Sequence, residues 1–176
     1  PHGLYVAVEG NRSRRLYHGT IKDGKCKWEL INETVPQLSG DYEVHPLVYD
    51  SKRDRLLLLC GQGQVYHPRQ RGAQVTIFAY PLKTGKWEEL KTSGYAELSR
   101  EAVYIPKHDT LMLLGDRKLL VMDCETNQWR VIDTQMPAKG YGWDAAMVYD
   151  PVHDVAVALV PPKFSAHMRV FLFRYD

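Results

Sequence analysis

Three segments of the chain repeat one pattern of apolar and polar positions. Each begins with an apolar residue and a Tyr, passes through a short polar turn that ends in Asp, and continues into an apolar stretch long enough for one strand. The pattern predicts two strands joined by a tight turn, in which the Asp accepts hydrogen bonds from turn amides. The segments are 48–59, 103–114 and 148–159, with the closing aspartates Asp54, Asp109 and Asp154.

A second pattern, a strand followed by a polar turn and a Trp, occurs at 21–28, 80–87 and 122–129. The turns contain residue types that tolerate the positive φ of a tight hairpin, namely Gly24, Gly85 and Asn127. An indole on such an outer strand can pack between neighbouring sheets while its N–H bonds a carbonyl. We therefore predict equivalent, largely buried positions for the three tryptophans, Trp28, Trp87 and Trp129.

Together the two patterns predict an all-β chain with fourteen strands in groups of three, four, four and three, and almost no helix. The strands of one group are labelled a to d in chain order. Strand a is predicted near 45–50, 101–105 and 144–149, and strand b near 4–9, 55–60, 110–115 and 154–160. Strand c is predicted near 14–21, 74–80, 118–123 and 168–174, and strand d near 26–31, 86–90 and 128–132. Repeats of about 40–50 residues with four strands each are typical of β-propeller blades.

The repeat resembles the Kelch repeat. Strand b ends in glycine at Cys60-Gly61 and Leu114-Gly115, and Tyr80 precedes Trp87 by seven positions. Kelch repeats usually carry two adjacent glycines after strand b, whereas this chain has single ones. The resemblance covers nearly the whole chain and implies a β-propeller of four-stranded antiparallel blades.

About three and a half blades are visible in this interpretation. They are blade 1 at about 1–34 without its strand a, blade 2 at about 44–91, blade 3 at about 99–133, and blade 4 at about 143–176 without its strand d. An open arc would leave apolar blade faces and unpaired strand edges in water. We therefore expect a larger six- or seven-bladed ring, with the remaining blades in further sequence or in a second chain. A closed four-bladed ring built from the fourteen strands is the alternative.

Composition and charge narrow the classes of partner. Hydrophobic residues form 44% and charged residues 25% of the 176 positions, as in ordinary globular proteins. The net charge of +2 provides no basic field for nucleic acid, so we expect no nucleic-acid partner. No apolar run approaches the ~18–20 residues of a membrane-spanning helix, so we expect no membrane span. The chain opens at Pro1 without an initiator Met or a signal-peptide pattern, which leaves its location, export included, undetermined.

Neither the cysteines nor the histidines follow a metal-binding spacing. Cys26, Cys60 and Cys124 fall in predicted strands and are interpreted as buried free thiols, with a Cys60–Cys124 disulfide left open as the alternative. His108 and His153 are interpreted as surface residues of turns. We expect no metal and no cofactor.

The candidate site comes from the loops. The resemblance implies that the b–c and d–a loops gather on one face and the short a–b and c–d turns on the other. The b–c and d–a loops are the longer and less regular ones here, and binding residues are commonly found on such loops. Arginines there can bind carboxylate or phosphate, and aromatic side chains can stack on a ligand or anchor a partner. The candidate ligand-binding residues are His45, Tyr66, His67, Arg69, Arg71, Arg100, Glu101, Trp143 and Asp144.

Two functions fit this loop face. The first is a non-enzymatic interaction module whose loops hold a protein, a peptide or a glycan. The second is a carbohydrate-active enzyme of the oxidase, epimerase or lyase type, with a central-funnel site built from Glu101, Asp144, His45 and Arg100. Because too few blades are visible to complete such a site, we expect the binding module and assign no catalytic residue.

Overall fold

The computed structural model of the chain describes residues 4–10, 13–36, 46–61, 75–96, 99, 101–115, 118–134, 145–160 and 168–174. Within these residues it contains fourteen β-strands, one 3-10 helix and no α-helix. The strands form four separate antiparallel sheets, each with its strands in chain order. The predicted grouping of three, four, four and three strands is confirmed.

Sheet 1 consists of β1 (Leu4–Gly10), β2 (Ser13–Lys22) and β3 (Lys25–Asn32). Sheet 2 consists of β4 (Leu47–Asp50), β5 (Arg55–Gly61), β6 (Val75–Pro81) and β7 (Glu88–Leu90). Sheet 3 consists of β8 (Ala102–Ile105), β9 (Thr110–Leu114), β10 (Lys118–Asp123) and β11 (Gln128–Asp133). Sheet 4 consists of β12 (Ala146–Asp150), β13 (Val155–Val160) and β14 (Arg169–Arg174). The 3-10 helix (Pro106–His108) lies between β8 and β9, and its Pro fixes the first φ of the turn.

The antiparallel order places two kinds of connection at opposite ends of the sheets. The turns 51–54, 106–109 and 151–154, together with the turns that precede β3, β7 and β11, lie at one end, here called the turn end. The remaining connections lie at the opposite, loop end. Not all of these are long as expected, because β1 joins β2 and β9 joins β10 through short connections.

The core lies between sheets rather than within one sheet. The forward face of a sheet is the side toward the next sheet in chain order, and the backward face is the opposite side, toward the preceding sheet. The forward face of sheet 2 packs on the backward face of sheet 3, and the forward face of sheet 3 on the backward face of sheet 4. A third cluster joins sheets 1 and 2. The first strands β4, β8 and β12 contact one another in this order. Sheets 2 and 3, which are packed between two others, are therefore apolar on both faces.

The connection between sheets 2 and 3 forms a clamp on β11, the outer strand of sheet 3, through Ser93 and Gly94. Ser93 forms a one-residue parallel bridge to Gln128, and the Trp129 amide donates to the Ser93 carbonyl at 2.8 Å. Gly94 follows with a φ of 85°, and a Cβ there would lie 2.5 Å from the Trp129 carbonyl oxygen. Only glycine allows this approach.

The three tryptophans do not share one degree of burial. Trp129 is 5% exposed between sheets 2 and 3, Trp87 is half-buried just before β7, and Trp28 is 46% exposed on sheet 1. The prediction that all three are largely buried is therefore wrong. Each Trp lies on a backward face, and sheet 1 has no sheet behind it among the described residues. Nor do the buried indole N–H groups of Trp87 and Trp129 have a hydrogen-bond acceptor within the described ranges.

Register also separates Trp28 from its counterparts. Trp129 lies opposite Met122, whereas Trp28 lies opposite Gly19, because the tighter turn at Asp23 and Gly24 shifts the pairing. The Trp28 ring lies over Gly19, where an added Cβ would be 2.7 Å from it. The predicted positive φ is confirmed at the turn glycines and Asn127.

The cysteines are free in the structure. Cys60 and Cys124 are buried as predicted. Cys26 is exposed, since it lies on the backward face of sheet 1, which no described sheet covers. Cys124 occupies the turn after β10 rather than a strand. Burial, with a smaller contribution from the negative charge of Asp50, raises the pKa of the Cys124 thiol to about 12, so the group is an unreactive thiol at neutral pH.

Candidate functional site

Eight of the nine candidate site residues lie outside the described residues: His45, Tyr66, His67, Arg69, Arg71, Arg100, Trp143 and Asp144. Their placement on one face therefore stays a prediction. The enzyme hypothesis depends on three of them together with Glu101, and no described feature favours it.

Glu101 is placed at the loop end, immediately before β8. Its amide donates to Ser99 Oγ at 3.2 Å, and its carbonyl accepts the Leu114 amide at 3.3 Å. Ser99 Oγ in turn donates to the Leu114 carbonyl at 2.6 Å. The backbone of Glu101 is thus held against the end of β9, and its partly buried side chain starts from a fixed position.

An exposed aromatic residue lies at the same end. Tyr95, in the connection between sheets 2 and 3, is 48% exposed, and the Lys118 Nζ lies 5.3 Å from the centroid of its ring. A cation over an aromatic face is a favourable contact that holds the ring in place while leaving part of it accessible. The loop end therefore presents a positioned aromatic surface next to a cation.

The turn end is organised differently from the sequence prediction. Asp54, Asp109 and Asp154 adopt a left-handed conformation, with φ between 49° and 54°. Each accepts a hydrogen bond from the Tyr five residues earlier, at 2.7 to 2.9 Å, and not from turn amides as predicted. The left-handed backbone turns the carboxylate outward over the first strand, where the Tyr hydroxyl meets it.

The aspartate at the end of the first strand accepts the hydrogen bonds that the turn amides donate. Asp50 Oδ1 accepts the Lys52 and Arg53 amides, and Asp150 Oδ1 accepts the Val152 and His153 amides. Sheet 3 has Ile105 at this position, and its turn forms the 3-10 helix instead. The capping aspartate was missed because an Asp that ends a strand is not a usual strand signal.

Asp50 also forms buried ion pairs. It is fully buried, and its Oδ2 lies 2.8 Å from the Arg55 Nε and 3.2 Å from an Arg53 Nη atom. A buried carboxylate is tolerated only when it is paired in this way. The cluster fixes the first hairpin of sheet 2.

Ion pairs at the turn end join consecutive sheets. Arg53 of sheet 2 donates two hydrogen bonds to Asp109 of sheet 3, at 2.7 and 2.8 Å, and the Lys52 Nζ lies 2.8 Å from the same carboxylate. These contacts, led by Arg53, hold the pKa of the Asp109 carboxyl well below its ordinary value. Burial and the hydrogen bond to Asp109 raise the pKa of Tyr104.

The same arrangement recurs between sheets 3 and 4. Lys107 pairs with Asp154, and the His108 Nε2 lies 3.1 Å from both carboxylate oxygens. Lys107 is the main reason that the pKa of Asp154 lies well below its ordinary value. His108 is therefore not a free surface residue as interpreted from the sequence. The basic pairs Lys52-Arg53 and Lys107-His108 are the sequence signal that could have predicted this link.

The part of the chain that the structure describes contains neither a metal-binding cluster nor a membrane-spanning helix. No group of three or more His, Cys, Asp or Glu side chains is arranged there to hold a metal ion. Likewise, none of the helical structure in those ranges is long and apolar enough to span a membrane.

Comparisons with known proteins extend the view of the fold. No protein-family model and no curated protein matches the chain. Among solved structures, the crystal structure of TolB from Acinetobacter baumannii is similar over 98% of this chain, with a TM-score of 0.57 and 12% sequence identity. The chain spans 38% of the length of that TolB chain. At this identity the likeness concerns the fold alone, and it indicates an all-β fold of the propeller type.

Proposed function

We propose that the protein is a non-enzymatic binding module that holds a protein, a peptide or a glycan at its loop end. The sheets act as the blades of a Kelch-like propeller within a ring of six or seven blades. The candidate loop residues, with Tyr95 and Lys118, provide the binding surface. The rigid stack of sheets positions them, as scaffolds position loops in many binding proteins.

One observation carries this proposal: charged groups of the first hairpin turns at the turn end are engaged in joining consecutive sheets. Arg53, Asp109, Lys107 and Asp154 satisfy one another across two sheet interfaces. A ligand bound there would have to compete with these contacts. The loop end instead offers an exposed ring beside a cation, a combination suited to anchoring a partner.

Substitutions at the two ends test the proposal. Binding of the full chain to an immobilised glycan array and to a displayed peptide library would be compared for Tyr95→Ala, Lys118→Ala, and a combined Tyr66, Arg69, Arg71, Arg100 and Trp143 to Ala variant. Lys83→Ala and Lys86→Ala serve as controls, because both are exposed residues of the turn end outside the ion pairs. Binding lost only in the loop-end variants supports the proposal. Binding lost only in the control variants, with folding intact, contradicts it.

A further inference from the structure

The outer strand of sheet 1 differs from the outer strands of sheets 2 and 3. It is β3, which has eight residues, whereas β7 has three. β11 has six residues, but Ser93 already bridges it at Gln128. Within the described ranges no strand or bridge pairs with the outer edge of β3, and its residues from Lys25 to Leu30 are all exposed. Sheet 1 therefore has the longest open outer edge of the three.

The edge of β3 is accessible for a reason that does not depend on the number of sheets. The first strands β4, β8 and β12 contact one another, so the last strands of the sheets lie on the outside of the stack. β3 is the last strand in the order β1-β2-β3. Alternate residues of an edge strand direct their N–H and C=O groups away from the sheet. These groups of β3 are therefore open to a further strand.

The backbone defines both ends of this open edge. At one end, the tight hairpin turn lies directly before Lys25. At the other end, a shift in register leaves Ile31 without a cross-strand partner on β2. The Ile31 carbonyl instead accepts the Tyr80 hydroxyl of sheet 2 at 3.3 Å. Because such a shift interrupts regular pairing, the edge that a further strand can use consists of the six residues from Lys25 to Leu30.

The side chains of this edge form a charged row and an apolar row on opposite faces of the sheet. The charged row is Lys25, Lys27 and Glu29, and the apolar row is Cys26, Trp28 and Leu30. The charged side chains form no ion pair or hydrogen bond with any other residue that the structure describes. In the apolar row, Trp28 is 46% exposed. A strand that pairs with β3 would therefore contact both rows directly.

We propose that the outer edge of β3 is a second binding surface, which takes an extended peptide segment of a partner protein as an additional antiparallel strand. Backbone hydrogen bonds to β3 provide the affinity, and cross-strand side-chain pairs select the sequence. Carboxylates of the partner segment lie opposite Lys25 and Lys27, and a basic side chain lies opposite Glu29. Apolar side chains lie opposite the apolar row. The antiparallel direction continues that of sheet 1 and is the commoner one in sheets.

The order of the charges argues against a second copy of β3 as the occupant. If two copies pair with Lys25 opposite Glu29, then Lys27 lies opposite the same residue of the other copy. Like charges at directly opposite positions are destabilising. A partner segment with a carboxylate opposite Lys27 avoids this repulsion. Lysines on edge strands generally oppose unselective pairing, and here they leave an acidic strand as the favoured one.

A short synthetic peptide with blocked ends, Val-Lys-Val-Glu-Val-Glu, is the probe. In the antiparallel direction it presents its Lys to Glu29 and its two Glu to Lys27 and Lys25. In a titration of the full chain followed by NMR, we expect saturable shifts of the backbone amides from Lys25 to Leu30, and no change in β7 or β11. A control peptide of the same composition, Val-Glu-Val-Lys-Val-Glu, places like charges opposite Lys27 and Glu29. It should bind at least about ten-fold more weakly.

Matched variants separate strand addition from general charge attraction. Lys25→Glu combined with Lys27→Glu should weaken binding at least about ten-fold, and the peptide Val-Lys-Val-Lys-Val-Lys should restore it. Lys83→Glu combined with Lys86→Glu makes the same change in charge at exposed positions of sheet 2 and should leave binding intact. A probe in which Pro replaces the two inner Val residues keeps its charges but loses two backbone donors, so its binding should be lost.

Three outcomes would overturn the proposal. The first is the absence of saturable shifts in β3 with the probe. The second is equal binding of the probe and its proline form, which would leave only charge attraction. The third is a chain that sediments as a dimer and becomes a monomer after Lys25→Glu and Lys27→Glu, which would assign the edge to a second copy. None of these outcomes depends on binding at the loop end, because the substitutions lie on β3 alone.

Discussion

The guanidinium of Arg53 in sheet 2 binds both carboxylate oxygens of Asp109 in sheet 3, with nitrogen–oxygen distances of 2.7 and 2.8 Å. The two residues are 56 positions apart in sequence and belong to equivalent turns of consecutive sheets. Their bidentate geometry is the strongest form of such a pair. Together with Lys107 and Asp154, they form a repeated ionic link that joins sheets whose apolar faces are already packed.

Removing the Arg53 guanidinium should destabilise the interface between sheets 2 and 3. Arg53→Ala leaves Asp109 with Lys52 and Tyr104, so we expect a loss of about 1–2 kcal/mol in the free energy of unfolding. Arg53→Lys should recover only part of this loss, because an ammonium group cannot bind both oxygens in one plane. Urea unfolding measures the change, with Lys83→Ala as an exposed control. Equal stability of Arg53→Ala and the control would contradict the prediction.

The Asp109 link should also depend on pH. The carboxyl is surrounded by Arg53, Lys52 and the Tyr104 hydroxyl, and its pKa in the folded protein lies well below the ordinary 3.8. A carboxyl whose pKa is lower in the folded state adds stability above its unfolded pKa and loses it as the pH falls. The stabilisation should therefore be complete well above pH 3.8 and decline progressively below it.

Urea midpoints measured from neutral to acidic pH would test this dependence. In Asp109→Asn, the part of the slope below pH 3.8 that belongs to this carboxyl should disappear. Glu88→Gln, at an exposed position on β7, controls for the general loss of a negative charge. A slope identical in Asp109→Asn and the unmodified chain would show that the link carries no pH-dependent stability.

Two glycines with positive φ should respond differently to alanine. Gly24 has a φ of 71° and no atom within 4 Å of an added Cβ, so Gly24→Ala should cost only about 1 kcal/mol of backbone strain. Gly94 has a φ of 85°, and its added Cβ would overlap the Trp129 carbonyl oxygen. Gly94→Ala should cost about 1–3 kcal/mol more, as overpacking does, and should loosen the bridge between Ser93 and Gln128. Thermal unfolding of both variants measures this difference, and equal costs would be evidence against the clamp.

The tryptophans should differ in their contribution to stability. Trp129→Ala removes a buried indole between sheets 2 and 3 and should cost about 3–5 kcal/mol. Trp28→Ala should cost clearly less, because nearly half of the Trp28 side chain is exposed. Acrylamide quenching of single-Trp variants gives an independent readout, in which Trp28 is quenched more strongly than Trp129. Similar quenching of both residues would contradict the assigned burial.

The sequence by itself determined the strands and their grouping. Short continuous apolar stretches and turn residues such as Gly24 and Asn127 act within a few neighbouring residues, so their effect can be recognised from local spacing. The repeat of Val48, Val103 and Val148 even placed the equivalent positions of three sheets in register. The lack of long helix followed from the same patterns. The Kelch subtype and the loop-end ligand are still predictions, because they depend on residues or comparisons beyond the described sheets.

Only the tertiary structure decided how those sheets use their residues. The burial of Trp129 and the exposure of Trp28 follow from whether another sheet lies behind each one, which no local pattern specifies. The role of Asp109 likewise depends on Arg53 reaching it from a different sheet, 56 residues away. Residues at equivalent positions of the repeat therefore contribute differently to the free energy of unfolding. Their burial and charge pairing depend on the neighbouring sheet and not on the strand itself.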